Sequence, residues 1–354
     1  MTHDTRSTPT APTPSSPTTP GLPPAAQRVV DGVLEASVVG SFSRLGPEVR
    51  QRSEGWAEPP AVTGQTMVVT GATSGLGLAA AVSLARRGAR LCLVGRQPDR
   101  LDAARRRVAE TSTAPVDTEV ADLGDLDQVA DLADRLAARY DRLDTLVHVA
   151  GALLRTYQCS PNGIEATLTV HLLAPFVLTE RLRALLTASA PARVVTMTSG
   201  GMYTQRFDLD TLVVPAAGYD GSVAYARAKR AQVVLTGEWQ RRYGASGIDF
   251  FAVHPGWADT PGLAAGLPAF ARVMRPLLRS TDEGADTLVW LCCMPAGQLP
   301  GGRLWLDRRP RSAYRLPWTW VDPTRRQREG MDLWQWCHDR TAPWLTSLPG
   351  GPPA

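Results

Sequence analysis

MVVTGATSGLGLAAAVSLARRG, residues 67 to 88, opens the ordered pattern of this 354-residue chain. MVVTG (67–71) is a short, β-branched apolar run of strand character, and the segment from Leu76 to Arg87 has helix-forming composition. Between them TGATSGLG (70–77) places Gly71, Gly75 and Gly77 where a chain must turn sharply and pack a helix against a strand. The unpaired N–H groups at the start of such a helix attract anions, so Thr70, Gly71, Thr73, Ser74, Gly75, Leu76 and Gly77 are candidates to cradle a pyrophosphate. The glycine spacing is wider than the commonest dinucleotide fingerprint, and taken alone it also fits a plain glycine-rich turn.

Outward from this stretch the same alternation repeats. LCLVG (91–95) precedes a helical 99–109, DTEVADL (117–123) precedes 126–140, and DTLVHVAG (144–151) closes a fourth unit. A helix over 167–186, a strand ARVVTMTS (192–199), a helix over 225–243 and a strand IDFFAVHPG (248–256) follow. Short apolar strands separated by amphipathic helices define an α/β chain with a single Rossmann-like, doubly wound parallel sheet and helices on both faces. The expected division is a Pro/Ser/Thr-rich disordered tail (1–26), an N-terminal helical segment (27–61), the sheet domain (62–312) and a Trp-rich C-terminal extension (313–354). In the helical segment Val30, Leu34, Val38 and Phe42 recur four apart, as on one helix face packed on the domain. In the extension Trp318, Trp320, Trp334, Trp336 and Trp344 read as a tail wrapping the core with buried indoles; a cleft wall or subunit contact is the other reading.

Composition narrows the function. A 44% hydrophobic share supports a sizeable core, and a formal charge of +4 spread along the chain gives no concentrated footprint for nucleic acid. No apolar run approaches the roughly 18 to 20 residues of a spanning helix, and the first thirty residues lack a signal-peptide core, so a soluble, cytoplasmic protein is expected. The cysteines 92, 159, 292, 293 and 337 lack metal or redox spacing and read as reduced, buried thiols; no metal site is expected. Among thirty-eight basic side chains there is a single lysine, Lys229.

That lysine ends YARAK (225–229), which on a helix puts Tyr225 and Lys229 one turn apart on the same face. A neighbouring cation favours the phenolate and so brings a phenol toward acid–base use. At the end of the second strand, where dinucleotide folds often place an acid for the ribose, stands Arg96, which can pair with a 2′-phosphate. NADP(H) is therefore preferred, with NAD(H) still open. Asp122, followed by Leu123, is placed to accept from an adenine amino group or to cap the next helix.

TGATSGLG, VHVAG (147–151), TSGGM (198–202), YARAK and HPGWADTPG (254–262), in this order over residues 62 to 312, resemble the short-chain dehydrogenase/reductase family. KRAQVVLTGEW (229–239), GADTLVWL (284–291) and GRLWLDRRP (302–310) resemble one subgroup in particular. The resemblance implies that Ser199 binds the substrate oxygen, Tyr225 is the general acid or base, and Lys229 holds the nicotinamide ribose and lowers the tyrosine pKa. It places Ala150 and Gly151 beside the cofactor, and Pro255, Gly256 and Thr260 on the nicotinamide side. The loop from Met202 to Ser222 then borders the substrate cleft; within it Tyr219 is a competing phenol with no lysine at the required spacing. Ser199 alone also reads as a turn serine. Two positions depart from the family pattern. His148 and Val149 stand where Asn-Asn is common, and His171 stands where an asparagine's backbone carbonyl holds a relay water. His171 reads equally as a working substitute in the proton relay or as a neutral structural histidine, and His254 as a strand-end residue.

Together these features describe an oxidoreductase that moves a hydride between a nicotinamide cofactor and a carbonyl or secondary alcohol of a small, apolar substrate. The alternative is a non-catalytic NAD(P)-binding regulatory or interaction protein on the same fold. Family members often form dimers or tetramers, which extends the expectation of a homodimer or homotetramer to this chain.

Overall fold

Three short helices, α1 (Pro24–Ala36), α2 (Val38–Phe42) and α3 (Leu45–Glu54), precede an eight-stranded sheet in the computed structural model, which describes residues 21–346. The strands are β1 (Thr66–Thr70), β2 (Arg90–Gly95), β3 (Val116–Val120), β4 (Thr145–His148), β5 (Ala192–Met197), β6 (Ile248–Val253), β7 (Arg303–Leu306) and β8 (Arg309–Arg311). Their order is β3-β2-β1-β4-β5-β6-β7-β8, with β8 alone antiparallel. Crossovers carry α4 (Gly75–Arg86), α5 (Pro98–Ala109), α6 (Leu126–Arg139), α7 (Ala166–Leu168), α8 (Ala174–Ala188) and α9 (Gly221–Tyr243). The last crossover holds α10 (Pro261–Gly266), α11 (Pro268–Met274) and α12 (Thr281–Cys293), and α13 (Pro323–Leu345) follows the sheet.

Successive strand residues point to opposite faces, and both faces are dry. Met67, Val69, Val147, Val195 and Phe251 pack under α4, α5 and α12, while Val68, Leu146, Val194 and Phe250 pack under α6, α8 and α9. This two-sided burial is why the strands read as unbroken apolar runs. The chain leaves β1 toward β2 and β3, then returns to β4 on the other side, so a crevice opens beyond the carboxyl ends of β1 and β4.

The structure departs from the sequence reading in several places. The first helix starts at Pro24, three positions before the expected boundary, because proline suits the first helical turn; residues 1–20 of the expected tail lie outside the described residues. The four-residue apolar period does not continue as one helix. Ser37 is extended and its side chain accepts from the Gly40 N–H, starting α2 afresh. The edge hairpin β7–β8 was not anticipated. Of the cysteines, Cys159 is exposed and the other four are buried, all as free thiols.

In the C-terminal extension α13 lies across α8 and α9, with Leu333 and Cys337 fully buried. Its tryptophans are less buried than expected. Trp318 and Trp320 are exposed, and Trp334, stacked under the Arg242 guanidinium at 3.7 Å, is half-buried. Among the described residues no helix is long and apolar enough to cross a membrane.

Candidate active site

The glycine loop is shaped for an anion at the crevice. Gly71 has φ +70°, and a Cβ there would lie 2.6 Å from the Ala150 Cα, so the ends of β1 and β4 approach more closely than any side chain allows. The Thr70 hydroxyl ties them together, donating to the Val147 carbonyl (3.2 Å) and accepting from the Val149 N–H. Ser74 is the N-cap of α4, yet its side chain accepts no helix N–H. The first amides of α4 therefore lack a side-chain acceptor, as a pyrophosphate site requires. Leu76 is half-buried, Gly77 starts the close packing of α4, and Leu123 is buried. Thr73 lies against Gly95, directly before the exposed Arg96. Thr260, the N-cap of α10, comes within van der Waals range of the Gly75 position, which brings the loop after β6 to the glycine loop. These residues fit a dinucleotide. Asp122 does not cap α6; Asp125 does, and Asp122 accepts from the Gly124 N–H at 2.9 Å.

Ser199, Tyr225 and Lys229 meet past the end of β5. Ser199 caps a short 3₁₀ turn by accepting from Gly201 N–H (3.3 Å), and its side chain stands close enough to the Tyr225 phenol to favour the ionised form. Burial nonetheless raises the phenol above its ordinary value, and the nearby Ser199 only partly offsets this. Lys229 is almost wholly buried; its Nζ donates to the Met197 carbonyl at 2.8 Å and lies 5.6 Å from the Tyr225 ring centre. Desolvation pushes the amine down to about 7. The expected lowering of the tyrosine by its lysine is thus not realised in the free protein, because the site is dry enough to cost both charged forms.

The departures from the family pattern form one packed unit. His171 lies in a π-helical turn, Thr169–Leu173, between α7 and α8; its ring stands edge-on to Tyr225 at 5.1 Å, and its Nε2 bonds the Ala152 carbonyl at 2.8 Å. Gly151 is required here, because any Cβ would run into the imidazole. Burial pushes His171 down to about 3, so its ring is neutral and supports Tyr225 without carrying a charge at neutral pH. Its backbone carbonyl, the relay position, accepts from Gln232 Nε2 at 2.6 Å. Gln232 was missed in the sequence; lying three positions after Lys229 on α9 is the signal that could have found it. His148 is buried against the Thr179 hydroxyl (2.9 Å). Tyr219 is removed from contention: it bonds Glu165 at 2.8 Å and Thr167 at 2.9 Å, and is pushed up to about 12. Pro255 and Gly256 follow His254, whose Nδ1 accepts from the Gly256 N–H at 3.0 Å.

A doubly wound sheet, an anion cradle at its switch point and a Ser-Tyr-Lys set past the end of β5, joined to the Ala150–Gly151 segment through His171, define a nicotinamide-dependent oxidoreductase. Residues 65–267 match the short chain dehydrogenase family model, and the chain belongs to this family as a NAD(P)-dependent dehydrogenase/reductase. It is 34% identical over 255 residues to human dehydrogenase/reductase SDR family member 12, covering 72% of this chain and 80% of that protein. It is 40% identical over 248 residues to DnrU of Streptomyces sp. (strain C5), named provisionally a daunorubicin C-13 ketoreductase, covering 70% and 84%. A short chain dehydrogenase from Burkholderia cenocepacia J2315 in complex with NADP superposes with a TM-score of 0.57 at 27% identity, covering 68% of this chain and 95% of that one.

Proposed function

We propose that this chain is an NADP(H)-preferring reductase of a ketone on a small, apolar substrate. Ser199 beside the Tyr225 phenol, with Lys229 next to its ring and His171 joining that ring to the Ala150–Gly151 segment on which Gly71 packs, carries the reading. The bound cofactor supplies the hydride. The chain's own residues do the rest: Ser199 donates to the substrate oxygen, Tyr225 gives it a proton, and Lys229 holds the nicotinamide ribose. His171 packs the phenol in place and Gln232 closes the carbonyl behind it. Pro255, Gly256 and Thr260 face the nicotinamide, Ala150 and Gly151 the ribose, and Asp122 with Leu123 the adenine. The ketone assignment is supported by the similarity to DnrU, which is named as a ketoreductase.

Cofactor preference rests on Arg96, exposed at the end of β2 beside Thr73. Fluorescence titration with NADPH and NADH tests it. Arg96→Ala is expected to weaken NADPH by about tenfold to a hundredfold, the worth of a hydrogen bond to a charged group, and to leave NADH unchanged. Equal affinities for the two cofactors in both proteins would remove the preference.

A further inference from the structure

The two loops that face the nicotinamide end of the crevice share a wedge from outside the family-matched region. Phe42, the last residue of α2, is 4% exposed and stands edge-on to His254 with ring centres 4.4 Å apart. It also meets Trp257 and Tyr203, each at 5.9 Å. A Cβ on Gly200, next to Ser199, would lie 2.9 Å from His254 Nε2 and 3.2 Å from the Phe42 ring. Phe42 and His254 therefore fill the gap between the Ser199 turn and the loop from Pro255 to Thr260.

The wedge is fixed in place. The Phe42 carbonyl accepts from the Trp257 N–H at 2.7 Å. Arg279, 1% exposed, donates to the carbonyls of Ser41 (2.6 Å), Phe42 (3.1 Å) and Ser43 (3.2 Å) and pairs with Asp307 at 2.6 Å. The Arg279 backbone in turn brackets the loop, donating to the Trp257 carbonyl and accepting from the Asp259 N–H, both at 2.8 Å. Arg50 of α3 completes the clasp through Asp307, Asp31 and Glu35. A charged clasp buried this deeply tolerates little displacement, because any shift strands a desolvated guanidinium or carboxylate.

We propose that Phe42 is a positioning residue of the active site: through His254 and Trp257 it sets the place of the Gly256–Thr260 loop relative to Ser199, and so of the nicotinamide. This rests on the reductase reading above, in which that loop faces the nicotinamide. Displacements of about an ångström at such loops can cost a hundredfold in rate. The ring meets the near end of the loop, at His254 and Trp257, while the glycine loop is met at its far end, where Thr260 approaches Gly75, so the larger effect is expected on the nicotinamide half.

The test compares Phe42→Ala and Phe42→Leu with the wild type. Phe42→Ala is expected to weaken NADPH about tenfold and leave adenosine 2′,5′-bisphosphate, which carries only the adenosine half, unchanged; Phe42→Leu restores most of the loss. Without any ligand, hydrogen exchange at the amides of Gly256 to Thr260 should quicken about tenfold in Phe42→Ala while the amides of Gly71 to Gly77 stay as in the wild type. Equal weakening of both ligands, or exchange that rises at both loops together, would reduce Phe42 to general support of the fold. Unchanged NADPH affinity with unchanged exchange overturns the proposal as well. A wild type that binds no nicotinamide cofactor would remove the reductase reading, and the ligand-free exchange would still decide the role of Phe42.

Discussion

Tyr225→Phe lowers kcat for ketone reduction by about a thousandfold, the middle of the range for loss of a positioned proton donor, and leaves NADPH affinity within about twofold. The expectation follows from what the substitution removes. Phenylalanine keeps the ring that His171 meets edge-on at 5.1 Å, so the packing survives and only the hydroxyl is lost. A phenol is protonated at neutral pH and burial keeps it so, which is the form a reductase needs at the start of each turnover. Steady-state kinetics over a panel of ketones, paired with fluorescence titration of NADPH, separate the two effects. Turnover that survives the substitution would remove Tyr225 as the acid.

Acid is expected to unfold the protein well above the pH at which its carboxylates titrate. His148, His171 and His254 are each pushed from 6.5 down to about 3 by burial, with the Lys229 charge adding at His171 and the Arg279 and Arg315 charges at His254. The folded chain holds these rings neutral while the unfolded chain protonates them near 6.5. The stability they confer is therefore complete above that value and is lost as pH falls from 6.5 toward 3. With three groups, the slope in the middle of this window is about 4 kcal/mol per pH unit, three times the value of one proton. Lys229 works in a different window: its folded value near 7 lies below the 10.5 of the free amine, so its contribution grows as pH rises between the two. Urea unfolding at pH 7 and pH 5 measures the larger effect, with the lower pH losing most of the stability. Equal midpoints would show that the three rings take up protons in the folded state.

Much of this was readable in the chain because the decisive signals are local. The β1–α4 unit, the glycine loop and YARAK each lie within one turn or strand, so residue type and spacing suffice. The π-helical turn at Thr169–Leu173 was not readable, since TVHLL has the composition of an ordinary helix and only packing against Tyr225 and Gln232 selects the wider turn. The β7–β8 hairpin escaped because four and three residues rich in arginine carry too short an apolar pattern. Phe42 looked like one more residue of a helical face; its partners His254 and Trp257 lie on a distant part of the sequence, and only the fold brings them together. The shift of Tyr225 was misjudged for a similar reason. Spacing shows that a cation is near, but the dryness that raises the phenol and lowers the amine belongs to the assembled site.

The sheet ends in β3 on one side and in the Arg309-Pro310-Arg311 strand on the other. Pro310, in register with Trp305, has no N–H to offer an incoming strand, and the arginines flanking it are tied to Glu54 of α3 and Asp31 of α1. At the far side β3 carries Asp117 and Glu119, held by Arg90, Arg135 and Arg139. Each border is thus closed to strand-on-strand growth, by a missing donor at one and by clamped charge at the other. A chain with so apolar a sheet interior is in this way protected from fibril-like stacking at its margins.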